Sequence, residues 1–338
     1  MRHNQHPPSE FVNTYGQCLG KIATEPGTGR PFLRLDRYPY RRFMSNRSEV
    51  REFLAARRAR ITPAQAGLPS WGGTRRVPGL RREEVALLAG VSVDYYTRLE
   101  RGDLAGVSEA VLDAIAGALQ LDEAERTHLH NLARTAQTGP RRASRAGRNA
   151  ATRPEVRPEI RRVLEALTEA PAYLRNGRRD LLAANQLGQA LYADLFLDPS
   201  RPPNLGRYVF CDARSRTFFP NWPTVARDMV AALRIEAGKN PYDREVSDLV
   251  GELSTRSDEF ATLWAAQQVR FHQSGRKSFQ HPIVGELDLS FEALELPADP
   301  GLSLVVYTAD PGSSAEDGLR LLMSWAATQE AARPRTGT

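Results

Sequence analysis

The sequence has 338 residues, about twice the length of a typical domain, which predicts two domains that each bury their own core. Hydrophobic residues make up 41% of the chain and charged residues 25%, values that exclude a wholly disordered or fibrous protein. No apolar run approaches the roughly 18 residues that a membrane span needs, and none follows the basic N-terminus. The sequence therefore argues against a membrane span and a secretory signal.

The positive charge is concentrated in the first half of the chain. Residues 1–43 carry a net charge of +4 and residues 44–157 one of +6, whereas residues 158–338 carry −4. This split predicts a polyanion-binding half joined to a half with another task. Cys18 and Cys211 form no CxxC pair, which fits a reducing cytoplasm.

The N-terminal segment has no periodicity up to residue 43. It is predicted to be a poorly ordered tail, with Met44 as the natural start of the protein. A first helix is then predicted over residues 49–60, because Val50, Phe53, Leu54 and Arg57 share one helical face. It opens a helical domain predicted to span residues 45–136.

Further helices are expected in this domain. The Pro- and Gly-rich residues 61–80 predict a loop, and residues 81–102 predict two short helices broken at residues 90–92. Ser108 and Asp122 are predicted to begin two more helices as N-caps. Residues 137–157 hold six arginines among Gly, Pro, Ser and Ala, which predicts a flexible basic linker and the domain boundary.

Residues 158–330 predict a second domain that mixes helices and strands. The helices are expected at residues 158–169, 185–195, 222–237, 245–270 and 314–327. A hairpin is predicted over residues 171–182, with its turn at Asn176 and Gly177, and further strands over residues 278–308. The pattern is typical of an α+β domain with antiparallel hairpins.

A helix-turn-helix is the strongest motif in the sequence. Ala86 provides the small residue where two helices approach closely, and Gly90 provides the turn four residues later. Ser92 is predicted to cap the second helix, whose apolar face packs on the first. The apolar positions that fix the two helices together are Val85, Ala89, Val91, Tyr96 and Leu99.

The other face of the second helix is predicted to enter the major groove of double-stranded DNA. Arg98 can read a guanine or hold a phosphate, and Thr97 can contact a thymine methyl. Arg81, Arg82, Arg75 and Arg76 are expected to contact phosphates. The predicted DNA-binding residues are completed by Ser92, Val93, Asp94 and Arg101. The alternative is a plain helical hairpin with a solvated arginine face.

The motif carries a family resemblance. The segment RRVPGLRREEVALLAGVSVDYYTRLERG (75–102) resembles the Cro/repressor-type (XRE) helix-turn-helix of actinobacterial regulators. The second half is similar to the MmyB-type ligand-binding domain of those regulators, in PAYLRNGRRDLLAANQLGQALYAD (171–194), NWPTVARDMVAALRIEAG (221–238), LVGELSTRSDEFATLW (249–264), HPIVGELDLSFEALELP (281–297) and LVVYTADPGS (304–313). The resemblance implies a multidomain protein: an all-α five-helix DNA-binding domain and an α+β PAS-like domain. It also implies a fatty-acid-like or other small apolar ligand.

The aromatic residues of the second half also suggest a ligand pocket, with ordinary core packing as the alternative. The candidate ligand-binding residues are Asn185, Trp222, Trp264, His281 and Tyr307. A cap of the following helix is the alternative for Asn185, and a structural hydrogen bond is the alternative for His281.

Catalysis and metal binding find little support in the sequence. GxSxG, P-loop, GxGxxG and HExxH motifs are absent, and His128 and His130 fall on opposite sides of a helix with no third ligand nearby. No catalytic residue, metal site or cofactor is predicted. The only bound small molecule expected is a fatty acid or similar apolar effector.

The sequence thus predicts a cytoplasmic, nucleoid-associated transcription regulator that acts as a homodimer on an operator. Two alternatives stay open for the second domain: a redox-cofactor sensor or enzyme, and a protein-interaction module that binds no small ligand.

Overall fold

The computed structural model describes residues 23–24, 31–32, 46–69, 77–150, 156–197, 202–240, 243–267 and 274–332. For residues 138–150 and 330–332 it describes the backbone only. In the N-terminal segment, β1 (Ala23–Thr24) pairs antiparallel with β2 (Pro31–Phe32). The rest of the predicted tail over residues 1–43, including its expected disorder, lies outside the described residues.

The helical domain contains the helices that the sequence predicts. They are α1 (Asn46–Arg60), α2 (Arg82–Leu88), α3 (Val93–Glu100), α4 (Glu109–Ala118) and α5 (Glu123–Ala150). Both predicted caps are confirmed. The Ser108 hydroxyl accepts a hydrogen bond from the Val111 N–H at 3.4 Å, and the Asp122 carboxylate accepts one from the Glu125 N–H at 2.9 Å.

The core of this domain draws on the predicted apolar face of α1. Val50, Phe53 and Leu54 are fully buried and pack with residues of the other helices. Arg57 lies on the same face and is buried too, because its charge is compensated by Glu125, whose carboxylate oxygen lies 3.3 Å from the Arg57 Nε. A buried charge of this kind requires such a partner.

The prediction of a flexible linker over residues 137–157 is wrong for most of its length. Helix α5 continues through this range to Ala150 and is 28 residues long. The alanines and arginines of this segment are good helix formers, whereas Gly139 and Pro140 within it oppose a helix. Composition alone did not distinguish a basic helix from a basic linker.

The second domain is a mixed α+β domain, as predicted. Its helices are α6 (Pro158–Ala166), α7 (Gln186–Leu191), α8 (Leu205–Cys211), α9 (Arg214–Phe218), α10 (Trp222–Lys239), α11 (Arg244–Arg256), α12 (Asp258–Ala265) and α13 (Ser314–Ala332), with a 3₁₀ turn over Ala193–Phe196. Its strands are β3 (Ala172–Asn176), β4 (Leu181–Ala184), β5 (Ser274–His281), β6 (Gly285–Glu295) and β7 (Leu302–Thr308). They form an antiparallel sheet in the order β4-β3-β7-β6-β5.

The alternation of side chains along β3 separates two apolar layers. Ala172 and Leu174 pack against Leu164 of α6 on one face of the sheet. Tyr173 belongs to the larger core on the opposite face, which also contains Leu233 of α10. This arrangement follows from the period of two along a strand.

Two features of the second domain depart from the predictions. The helix expected over residues 245–270 is two helices, because Ser257 ends α11 and its hydroxyl accepts a hydrogen bond from the Phe260 N–H to start α12. Helices α8 and α9, of 7 and 5 residues, are too short to give a periodic signal. Among the residues described, no helix has the length and apolar character to cross a membrane.

Candidate DNA-contacting helix and internal cavity

Helices α2 and α3 are joined by a tight turn at Gly90. This residue has φ = +64°, a conformation that costs other residues more than glycine. The turn is closed by a hydrogen bond of 3.0 Å from the Val91 N–H to the Ala86 carbonyl. The Ser92 hydroxyl then accepts a hydrogen bond of 3.1 Å from the Tyr95 N–H, which confirms Ser92 as the cap of α3.

Helix α3 has one buried and one exposed face. Tyr96 and Leu99 are fully buried against the rest of the domain. On the other side, a shallow cleft of about 460 Å³ is lined by side chains of α3, by Arg47 from the start of α1 and by Asp103. Asp94, Thr97 and Arg98 of α3 line this cleft with Arg101, which follows the helix, and the sequence predicts all four as DNA-binding residues. Val93 is 41% exposed beside them.

Arg98 is held in a defined orientation. Its guanidinium carbon lies 4.8 Å from the centroid of the Tyr95 ring, and its Nε lies 3.9 Å from a carboxylate oxygen of Asp103. A guanidinium stacked on an aromatic ring loses less freedom when it binds a planar partner. Half of the Arg98 side chain remains exposed, so it is accessible to a ligand.

Arg47 and Asp103 are the residues of this cleft that sequence reasoning missed, and Arg47 is the cation among them. The sequence feature that could have indicated Arg47 is Gly102, which has φ = +95°. A Cβ atom at this position would lie only 2.3 Å from the Arg47 carbonyl oxygen. The glycine therefore marks a close approach between the start of α1 and the end of α3, which brings Arg47 to the exposed face.

Of the four arginines that are predicted to contact phosphates from outside α3, Arg81 and Arg82 do not line this cleft. Arg82 donates a hydrogen bond to Glu100, which is buried and also accepts from Arg58 at 2.7 Å. Its guanidinium thus joins α2 to α3. Arg81 is exposed, and its backbone N–H donates to the Glu84 carboxylate at 2.6 Å. Arg75 and Arg76 lie outside the described residues.

The second domain contains a partly open cavity of about 700 Å³ between α10 and one face of the sheet. Val225, Met229, Phe291 and Val305 give it an apolar wall. Polar and charged residues line the rest. Among the described lining residues the cations are Arg175, Arg179, Lys239, Arg276 and Lys277, and the carboxylates are Asp228, Glu236 and Glu295.

Three of these cations, Arg175, Arg179 and Lys277, repel one another, and Glu236 and Asp228 offset this repulsion only in part. The Nε atoms of Arg175 and Arg179 are buried and have no hydrogen-bond partner among the described residues. Burial, reinforced by the neighbouring charge of Arg175, lowers the pKa of Arg179 and lowers that of Lys277 to about 8. The Lys277 ammonium lies 5.6 Å from the ring centroids of both Phe219 and Phe291. Such a group of cations is suited to hold an anion.

Of the five predicted ligand-binding residues, Tyr307 lines this cavity and the other four do not. Tyr307 is buried, and its hydroxyl lies 2.7 Å from that of Tyr192. Asn185 caps α7 instead. Its side-chain oxygen accepts from the N–H groups of Gly188 and Ala172 at 2.7 and 2.9 Å. This matches the structural alternative considered for Asn185.

The remaining three residues also have structural partners. The Nδ1 atom of His281 accepts from the Ile283 N–H at 3.2 Å, and its Nε2 lies 3.2 Å from the Ala190 carbonyl oxygen. Trp222 donates from its indole N–H to the Val209 carbonyl at 3.0 Å. Trp264 stacks on Phe260, with 5.6 Å between the ring centroids. These rings stabilise the core around the cavity and do not form its wall.

Two family models match the chain. Residues 49–129 match the helix-turn-helix domain, and residues 156–322 match the MmyB-like transcription regulator ligand binding domain. No curated protein matches the chain at a significant level. Both matches agree with the resemblance found from the sequence, and both describe regulator domains and not enzymes.

Proposed function

Because the chain is a helix-turn-helix regulator with a C-terminal MmyB-like ligand-binding domain, we propose that it binds an operator through α3 and that a small anionic amphiphile in the cavity changes this affinity. The observation that carries the proposal is the cavity of about 700 Å³, which is lined both by apolar side chains and by Arg175, Arg179 and Lys277. A sensor needs a ligand site of this size in addition to its DNA-binding helix.

DNA binding is assigned to the exposed face of α3. Arg98 reads a base edge, with Thr97 and Val93 near it in α3, and Arg47 and Arg101 of the same cleft hold phosphates. The turn at Gly90 and the Ser92 cap support this assignment, because they present the N-terminal part of α3 outwards as in helix-turn-helix proteins. Arg82 has a structural role in this scheme through its contact with Glu100.

The ligand has two chemically distinct parts. Its anionic group lies against Arg175, Arg179 and Lys277, which gain a counter-charge that the described structure does not fully supply. Its apolar part contacts Val225, Met229 and Phe291. A fatty acid meets both requirements, whereas a ligand without any charge would not relieve the mutual repulsion of these cations.

We also propose that the second domain has a PAS-like fold and that the protein acts as a homodimer. The PAS-like fold is supported by the antiparallel five-stranded sheet, with helix α10 across the cavity-bearing face. A homodimer would match the two-fold symmetry that helix-turn-helix operators usually have.

Mass spectrometry of the purified protein under native and denaturing conditions tests the ligand and the dimer together. The expected result is a dimer that releases an acidic compound of low mass when it is denatured. A neutral compound would contradict the anionic ligand, and a haem or flavin would favour a redox sensor. If the purified protein contains no bound compound, it is titrated with dodecanoate. Failure to bind dodecanoate or other fatty acids would favour a protein-interaction module.

DNA binding is tested separately, by selecting fragments from a random DNA pool with the wild-type protein. An enriched two-fold sequence is expected. Enrichment of no sequence would contradict the operator-binding role, whatever the cavity binds.

A further inference from the structure

Helix α10 has one face in the cavity and the other against the DNA-binding domain. Val225, Ala232 and Glu236 line the cavity. On the opposite face, Arg234 contacts α1 of the DNA-binding domain and Gly238 lies against α5 of that domain. Ile235 takes part in both environments, because it lines the cavity and is also buried in the core of the DNA-binding domain. A displacement of α10 by a ligand would therefore reach the DNA-binding domain directly.

The contact centres on an ion pair between the two domains. One Arg234 nitrogen donates hydrogen bonds of 2.6 Å to the Glu49 carboxylate and of 2.6 Å to the Gln267 side-chain oxygen. The other terminal nitrogen donates to the Trp264 carbonyl, and the guanidinium lies 4.2 Å from the centroid of the Trp264 ring. Arg234 is completely buried.

Additional contacts surround this pair. His128 of α5 lies 3.7 Å from Glu49, measured from its Nε2 atom to the carboxylate. The Gln267 amide donates to Glu52 at 2.9 Å, and the Gln267 carbonyl accepts from Arg57. We call Glu49, His128, Arg234 and Gln267 the interdomain cluster. Two members belong to each domain, so the cluster joins the domains in one arrangement.

The electrostatics favour an intact cluster over a partly opened one. Burial alone would raise the pKa of Glu49, but the charge of Arg234 and the contact with His128 outweigh it and lower the pKa to about 2. Burial lowers the pKa of His128, which leaves this ring neutral at pH 7. Separating Arg234 from Glu49 without admitting water would leave two buried charges unpaired, which is strongly unfavourable. Burial and charge pairing therefore both favour the arrangement in which Arg234 contacts Glu49.

We propose that α10 couples the cavity to the DNA-binding domain, and that the Arg234–Glu49 pair is the contact through which a change in the cavity alters the position of α1. The proposal rests on the function proposed above, since a coupling has a purpose only if the cavity binds an effector. In this proposal the effect of a ligand reaches the DNA-binding domain through α10 and not through the segment between the domains, since α10 contacts both the cavity and the DNA-binding domain.

Hydrogen–deuterium exchange of the full chain tests the coupling without a known ligand. Ala232→Phe places a larger side chain in the cavity from α10 itself and stands in for a bound ligand. It is combined with the pair Arg234→Met and Glu49→Gln, which removes both charges so that neither is left buried alone. Arg227→Met is the matched control, because Arg227 is an exposed arginine of the same helix.

In the wild-type background, Ala232→Phe should change the exchange rates of peptides from residues 46–60 by about fivefold, within the usual range of coupling between sites. The change should disappear in the variant that lacks the ion pair and persist in the Arg227→Met background. Unchanged exchange in residues 46–60, or the same change with and without the ion pair, would overturn the proposal. If the double variant does not fold, Glu49→Gln alone removes the charge pair and leaves Arg234 a neutral hydrogen-bond acceptor, with the same loss of the Ala232→Phe effect expected.

A DNA fragment selected by the wild-type protein gives a second readout. Ala232→Phe should change its Kd by about fivefold when the ion pair is present and by less than about twofold when it is absent. Equal changes in both backgrounds would contradict the coupling through Arg234. Failure of the proposed function would be recognised separately, because the wild-type protein would then select no DNA sequence or bind no fatty acid.

Discussion

Arg82 at the start of α2 donates a hydrogen bond to Glu100 at the end of α3, and Arg58 of α1 donates to the same carboxylate at 2.7 Å. Glu100 is 1% exposed, so a single buried carboxylate holds three helices of the DNA-binding domain together. The exposed face of α3 can contact DNA only if α3 keeps its orientation relative to α1 and α2. The carboxylate is therefore part of the support of the candidate DNA-contacting surface.

Glu100→Gln should lower the free energy of unfolding by about 2–3 kcal/mol, because it leaves the Arg58 guanidinium without its counter-charge. Chemical denaturation measures this loss. Glu83→Gln is the matched control, since Glu83 lies on the exposed side of α2 and should change stability by less than about 0.5 kcal/mol. Equal effects of the two substitutions would show that Glu100 does not hold the helices together.

Arg98→Ala should weaken binding to a selected operator by about 1–3 kcal/mol and reduce discrimination at one base pair, because a bidentate contact to guanine is lost. Fluorescence anisotropy with the operator and its single-base variants measures both effects. Arg126→Ala is the control, because Arg126 is an exposed arginine outside the α3 cleft. If Arg98→Ala weakens specific and nonspecific binding equally, Arg98 holds a phosphate and the base-reading role is wrong.

The affinity for dodecanoate should be nearly constant below about pH 8 and fall above it. The carboxylate of the ligand stays ionised over this range, whereas the Lys277 ammonium, with its pKa lowered to about 8, loses its charge. Arg175, Arg179 and Asp228 also act on the Lys277 ammonium. The two arginines keep their charge over this range, so the fall follows the titration of Lys277. Isothermal titration calorimetry between pH 6.5 and 9.5 measures the profile.

Lys277→Arg is the control for this pH profile. It keeps the positive charge but moves the titration of this site to higher pH, so the fall near pH 8 should become weaker. Lys277→Met should weaken dodecanoate binding at pH 7 about tenfold, the equivalent of about 1.4 kcal/mol for a lost charged hydrogen bond. An affinity that does not depend on pH or on Lys277 would rule out the proposed location of the anionic group.

The local features of the DNA-binding domain were predictable from the sequence. Gly90, Ser92, Ser108 and Asp122 act on residues within a few positions of themselves, so their turns and caps follow from short motifs. The Arg82–Glu100 pair could not be predicted in this way, because its partners lie 18 positions apart and meet only after the helices have packed.

The cavity was only partly predictable for a related reason. Aromatic content suggested a pocket, and Tyr307 does line it, but Trp222 and Trp264 pack into the surrounding core. Arg175 and Lys277 gave no signal, because arginine and lysine on a strand are usually solvated. Their inward position follows from the register of the sheet: Arg175 lies on the same face of β3 as Tyr173.

Gly238 and Gly251 provide a matched pair of helical glycines that tests the contact between the domains. A Cβ atom at Gly238 would lie 2.5 Å from the His128 ring, which is completely buried and cannot move away. Gly238→Ala should therefore lower the free energy of unfolding by about 1–3 kcal/mol through overpacking. Gly251 lies in α11 with no atom within 4 Å of the added Cβ, so Gly251→Ala should raise stability by about 0.5–1 kcal/mol. Opposite signs in chemical denaturation would support a tight contact between α10 and α5, whereas stabilisation by both substitutions would show that the two domains are not in close contact at this point.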